Sequence, residues 1–187
     1  MTFRVKQWPT ADDLDRYDQE LRGIPRSDIV RDIVRIISVA KMVADGALNE
    51  DWVLCGGMAM RLRGSPRFTR FDTDTSRRKG PPSDTTLADA LKIDEEELVV
   101  SAVGFLPGKE LVTVMPVEFT PYFLALGEDL PTEAFKFTVS GRGLIEHAEL
   151  LPLAHPYPEL VLPDTLVPVM DLTEQCRVSV EGTDYVR

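Results

Sequence analysis

The stretch from residue 52 to residue 74 constrains this chain more than any other. Trp52-Val53-Leu54-Cys55 is a short apolar run that reads as a buried strand, and it stops at Gly56-Gly57. Residues 59–63 then read as a helix, and residues 68–73 as a second strand with Asp72 at its end and Asp74 just beyond. Two glycines between a strand and a helix let the backbone approach a phosphate, and the helix start offers unpaired N–H groups. The same pair also serves as a plain tight turn. Asp72 and Asp74 are two residues apart, so on extended chain they point to one side. Carboxylates so placed repel unless a cation lies between them. Magnesium prefers carboxylate oxygens together with substrate phosphates, and a pair of such ions activates a hydroxyl and steadies a leaving pyrophosphate. The plainer alternative is a polar turn at a strand end.

The charge around this stretch is uneven. The formal net charge is -10 over 187 residues, which argues against indiscriminate nucleic-acid binding. Yet Arg61, Arg63, Arg67, Arg70, Arg77, Arg78 and Lys79 crowd into residues 61–79, a third of the 21 lysines and arginines in the chain. That cluster is either a solvated loop or, because it surrounds the carboxylate pair, a local polyanion site. Cys55 and Cys176 are too few for a disulfide scaffold, and His147 and His155 have no partners at zinc-ligand spacing. With no secretory signal and no apolar run of membrane-spanning length, a soluble, cytoplasmic chain without membrane contact is expected.

The remaining elements read as follows. Residues 10–22 form a short polar helix capped by Thr10, ahead of Asp12 and Asp13. Ser27 is the expected cap of a stronger helix, in which Ile29, Ile33, Ile36, Ile37, Ala40 and Val43 share one face and Gly46 is the stop. That helix reads as core packing alone. Residues 79–84 form a Gly/Pro/Ser loop and 86–92 a helix, which 94–98 continue or restart. Residues 99–105, 110–119 and 134–140 read as strands. Residues 144–163 read as an irregular Leu/Pro-rich connection and 163–176 as a last helix, interrupted near Pro168. The order implies one α/β domain over 1–187 with a mixed sheet: N-terminal helices at 1–46, a core with Gly-Gly and Asp-x-Asp at 47–140, and a Pro/Leu-rich segment at 141–187.

Val53-Leu54-Cys55-Gly56-Gly57-Met58-Ala59-Met60-Arg61, followed by Pro66-Arg67-Phe68-Thr69-Arg70-Phe71-Asp72-Thr73-Asp74, resembles the signature of the AbiEii/AbiGii-type nucleotidyltransferases. These are toxins of type IV abortive-infection systems, with mycobacterial relatives. The resemblance implies a DNA polymerase β-like nucleotidyltransferase fold with a mixed sheet and flanking helices. It implies transfer of nucleotides from an NTP, dependent on magnesium or alternatively manganese, to tRNA ends or another RNA acceptor, and a cognate antitoxin as partner. On this reading Asp72 and Asp74 are the metal-binding catalytic pair. Gly56 and Gly57 meet the triphosphate, and Arg61, Arg67, Arg77 and Arg78 meet phosphate or RNA.

Four positions depart from the family pattern. Met58 stands where Ser or Thr is usual, and Phe71 where a polar residue precedes the first Asp. Thr138 aligns with the third carboxylate, for which Glu118 is the substitute on a neighbouring strand, or else a solvent-facing strand residue. Met170 falls where the last helix of the family carries a catalytic Lys; Lys136 either reaches a phosphate in its place or is ordinary surface. These departures support an alternative, a degenerate or truncated nucleotidyltransferase-like module acting through a protein partner. Thr69 and Thr73 flank the acidic pair, so a phosphate on either would repel an NTP.

Overall fold

The computed structural model describes residues 3–21, 23–65, 72–102, 104, 106–107, 111–124, 132–141 and 145–175. Arg67, Thr69, Arg70, Phe71 and Cys176 lie outside the described residues.

Two helices open the chain. The first, α1 (Ala11–Glu20), is capped by Thr10 through a reciprocal pair: the Asp13 N–H donates to the Thr10 hydroxyl, and the Asp13 carboxylate accepts from the Thr10 N–H at 2.8 Å. The second, α2 (Arg26–Ala44), starts before Ser27 because the Pro25 carbonyl accepts the first bonds, from Asp28 and Ile29. Pro25 has the φ of -58° that suits a helix entry. Ser27 is thus inside the first turn and caps nothing. Gly46, at φ +73°, follows the end of the helix.

The sheet is mixed, with nine strands. Along its length the order is β3 (Ile93–Asp94), β4 (Val99–Ala102), β6 (Val112–Thr120), β7 (Glu133–Ser140), β2 (Asp72–Arg77), β1 (Trp52–Cys55), β9 (Leu166–Met170) and β8 (Ala148–Pro152). The short β5 (Leu106–Pro107) pairs with β6 off this path. Among the described strands, β2–β7 and β1–β9 are the parallel pairs. Two further helices are α3 (Gly56–Leu62), between β1 and β2, and α4 (Asp84–Leu91), after β2. Among the described residues no helix is long and apolar enough to cross a membrane.

One face of the sheet packs on the helices. Phe135, Phe137 and Val139 of β7 and Met115, Val117 and Phe119 of β6 alternate into this core, together with Ile29, Ile33, Ile36 and Ile37 of α2. Thr73 and Thr75 of β2 face the same way, each about fully buried, and their hydroxyls are all engaged. Thr73 Oγ1 accepts from Arg35 Nε at 3.0 Å, and Thr75 Oγ1 accepts from Trp52 Nε1 at 2.9 Å and donates to the Thr138 carbonyl at 3.0 Å. Asp72 and Asp74, which alternate with them, face away from this core.

Three sequence expectations change. The second strand does not end at Asp72 but runs on to Arg77, with alternate threonines buried, while residues 68–71 lie outside the described residues. Residues 94–98 do not continue α4; Ile93 and Asp94 instead pair with Val100 and Val99. Residues 163–171 are not helical, and among the described residues the helix there is confined to the single turn 172–175. Leu166–Met170 is strand β9, antiparallel to β8 and joined to β1 by Leu54↔Val169, so the Leu/Pro-rich region holds a strand pair. Pro168 lacks an N–H, and this ladder, with its single pairing to β1, tolerates that loss. Met170 is buried beside Val53 and Ile145 at the end of β9, ahead of the helical turn at 172–175.

Candidate active site

The carboxylate pair sits where two chain reversals meet. β1 ends at Cys55, which lies opposite Asp74 across the antiparallel β1–β2 ladder. The chain then turns into α3 at Gly56, which has φ +68°. A Cβ built on Gly56 would lie 2.4 Å from Asp74 Oδ2, so the carboxylate occupies the place that any other side chain would need. Glycine at position 56 is therefore required twice, by its backbone conformation and by Asp74. The turn is tied from the other side as well: Gln175 Nε2 donates to the Gly56 carbonyl at 2.7 Å.

Asp72 and Asp74 project to the same side of β2, Asp72 exposed and Asp74 half-buried. Asp74 is pushed up to about 6, first by burial and then by the charge of Asp72, with Arg35 pulling in the opposite direction. This carboxyl gains from any cation placed against it. Gly56 and Gly57 open the α3 turn beside the pair.

The parallel neighbour β7 contributes two residues to this face. Lys136 lies opposite Asp72, and Thr138 opposite Asp74. Lys136 is exposed and forms no ion pair with a described residue. The strand lysine that sequence reading also allowed as ordinary surface thus stands next to the first carboxylate. Glu118 shares the face but pairs with Ala134 on the far side of β7. Two strand spacings and a two-residue offset put it more than about 10 Å from Asp72. No cluster of three His, Cys, Asp or Glu side chains able to hold a metal occurs among the described residues.

The described members of the basic cluster are not gathered around the pair. Arg61 points to α2, where Nη1 donates to both oxygens of the fully buried Asp32 at 2.8 and 2.7 Å. Arg77 is at the opposite end of β2, about 16 Å along the strand; it lies over the Trp52 ring and donates to the Gly80 carbonyl. Arg78 donates to the Ile145 carbonyl and pairs with Asp51, as does Lys79. Arg63 bridges Glu149 and the Met170 carbonyl. All five of these cations have partners within the fold, and none of the partners named is Asp72 or Asp74. Met58 is buried in the core. Thr73 is about fully buried and bonded to Arg35, so its hydroxyl is closed to modification.

Sequence reading missed the polar face of α2. Asp28, Asp32 and Arg35 are buried on that helix, and Asp32 also accepts the Tyr157 hydroxyl at 2.8 Å. The signal was present: Asp28, Asp32 and Arg35 recur at helical spacing, i, i+4 and i+7, in a helix rich in Ile and Val. A cavity of about 580 Å³, lined by Phe3, Arg4, Val5, Trp8 and the acidic residues 94–97, shares no residue with the carboxylate site.

No family model matches the chain, and no curated protein matches it in sequence. Solved structures do resemble it. One is MenT4, a nucleotidyltransferase toxin from Mycobacterium tuberculosis H37Rv, with a TM-score of 0.68 and 14% identity over 92% of this chain. Another is JHP933 from Helicobacter pylori, with a TM-score of 0.54 and 13% identity over 84% of this chain. The chain spans 58% and 57% of the lengths of those two proteins. The fold is therefore that of a nucleotidyltransferase.

Proposed function

We propose that the chain, as one nucleotidyltransferase-like domain, transfers a nucleotidyl group from an NTP to a hydroxyl of an RNA acceptor, with a tRNA 3′ end as the favoured class. The observation that carries this reading is the Asp72–Asp74 pair, held on one side of β2 against the side-chain-free Gly56 in a nucleotidyltransferase fold. The pair suits a divalent cation, since Asp74 is raised to about 6 by burial and by Asp72 and gains from a positive neighbour. Magnesium or manganese held by Asp72 and Asp74 would offset their charge, favour ionisation of the acceptor hydroxyl and draw charge from the departing pyrophosphate.

The residues of the chain supply the placement. Gly56 leaves the flank of Asp74 open to a phosphate. Lys136, next to Asp72, is a point charge for the triphosphate or the acceptor backbone. Arg67 has the same role on this reading. In the transfer a bond forms between the acceptor oxygen and the α-phosphorus, the α–β anhydride breaks, and pyrophosphate leaves. A cognate antitoxin is the expected partner, in keeping with the toxin among the structural relatives.

Thr138 supports a second reading. It stands beside Asp74 at the position aligned with a third carboxylate, and Glu118 is two strands from β2. A site with two carboxylates alone suits a module that binds NTP, transfers it poorly and acts through a protein partner.

The test is labelling of total tRNA with each NTP, in magnesium and in EDTA, for the wild type and Asp72→Asn. Magnesium-dependent labelling lost in the variant is the expected result. Folded protein that binds NTP without labelling RNA would replace transfer with the binding-module reading.

A further inference from the structure

We propose that Arg35 is a positioning residue for the Asp72–Asp74 pair, holding the peptide between the two carboxylates so that both face one cation. This rests on the pair being the metal-binding carboxylates of the proposed function.

Arg35 comes from the middle of α2 and is fully buried. Its Nε donates to Thr73 Oγ1 at 3.0 Å, and its Nη2 donates to the Asp72 carbonyl. Both acceptors belong to the short segment that joins the two carboxylates. Side chains alternate along a strand, so drawing Thr73 towards α2 directs residues 72 and 74 to the opposite face. A slip of one residue would reverse that choice and bury both acids. Thr73 is therefore not a spacer in Asp-x-Asp: its hydroxyl is the handle by which α2 grips the strand.

A role in packing alone would not call for this residue. A guanidinium is costly to bury unless its donors and its charge are matched. The charged groups around Arg35 are Asp32, Arg61, Asp72 and Asp74, with the Tyr157 hydroxyl close by. Among the described residues, two guanidinium groups face three carboxylates. Asp32, taking both Arg61 and Tyr157, is the counterion on the helix side. Arg35 lies between this buried anchor and the open site. Its charge alone would oppose a cation, so an improved metal site requires that it act through geometry.

The test is the affinity of the full-length chain for Mn2+ without nucleotide, read from the free-ion EPR signal, with thermal unfolding to establish folding. Thr73→Val keeps volume and charge and removes the acceptor of Nε. Arg35→Lys keeps the charge and removes the two-pronged grip. Each should weaken Mn2+ binding about tenfold or more, the usual effect of losing a group that orients a metal ligand. Thr73→Ser, which restores the hydroxyl, should bind within about twofold of the wild type. A folded Thr73→Val protein that binds Mn2+ as tightly as the wild type overturns the proposal, and this variant decides if Arg35→Lys does not fold. A wild type whose Mn2+ binding is indifferent to Asp74→Asn shows that the pair is not a metal site. That pattern overturns the functional reading and this proposal together, and it differs from failure of the Arg35 proposal alone.

Discussion

Asp74 is a residue whose surroundings alter its chemistry. Burial and the neighbouring Asp72 raise its carboxyl to about 6, against 3.8 ordinarily. Between about pH 4 and pH 6 the folded protein therefore binds a proton that the unfolded chain has already lost, and stability falls as pH rises through this window. Two pH units correspond to roughly 3 kcal/mol at most. In EDTA, urea unfolding at stepped pH should show wild type losing stability relative to Asp74→Asn by about this order across the window. Parallel curves would mean that Asp74 titrates normally. Gly56 allows an equally local prediction. Gly56→Ala must place a methyl where Asp74 Oδ2 now lies and keep φ at +68°. A loss of about 1–3 kcal/mol is expected from the backbone alone, accompanied by weaker Mn2+ binding. An Ala variant with wild-type stability and affinity would show that the turn is not held as described.

At the scale of the element, α2 does more than fill space. Its isoleucines pack the core, while Asp32 and Arg35 carry a polar network to α3, β2 and Tyr157. Removing one partner of a buried charge pair leaves the other uncompensated, at a cost of about 3–5 kcal/mol. Asp32→Ala should thus be severely destabilised in urea unfolding. Arg61→Ala should lose stability of the same order while its remaining folded fraction binds NTP normally. If Arg61→Ala instead stays stable and loses NTP affinity, the side chain leaves Asp32 to meet nucleotide. In β2 the same alternation serves two purposes: the threonines complete the buried hydrogen bonds and the aspartates face outward.

At the scale of the whole molecule, the charge distribution limits how RNA can be held. The chain carries -10, and Arg61, Arg63, Arg77, Arg78 and Lys79 all have internal partners. If all seven basic residues of 61–79 met phosphate, the logarithmic salt slope for a single strand would be about -5. With Lys136, Arg67 and Arg70 as the contacts, about -2 is expected. Filter binding of a tRNA acceptor end across a salt series distinguishes the two. A slope near -5 would mean that the internal pairs open on binding.

The placement of Asp72 and Asp74 on one side of a strand, the Gly-Gly turn, the mixed α/β class and the extents of β1 and the first helix were legible in the sequence, because each rests on local rules: apolar runs, alternation, caps and glycine conformations. Which cations belong to the site was not legible, since nearness along the chain says nothing of nearness in space. Arg61 and Arg77 lie close to Asp72 in sequence, yet one turns to α2 and the other to the far end of β2. Lys136, distant in sequence, arrives beside Asp72 through a parallel strand pairing. The last strand was hidden for a related reason. Leu166–Met170 is short, contains a proline and is a strand only because β1 and β8 lie on either side to accept it. Arg35 is the clearest case: its place on the helix follows from residue spacing, but its action on the carboxylates exists only where α2 crosses β2.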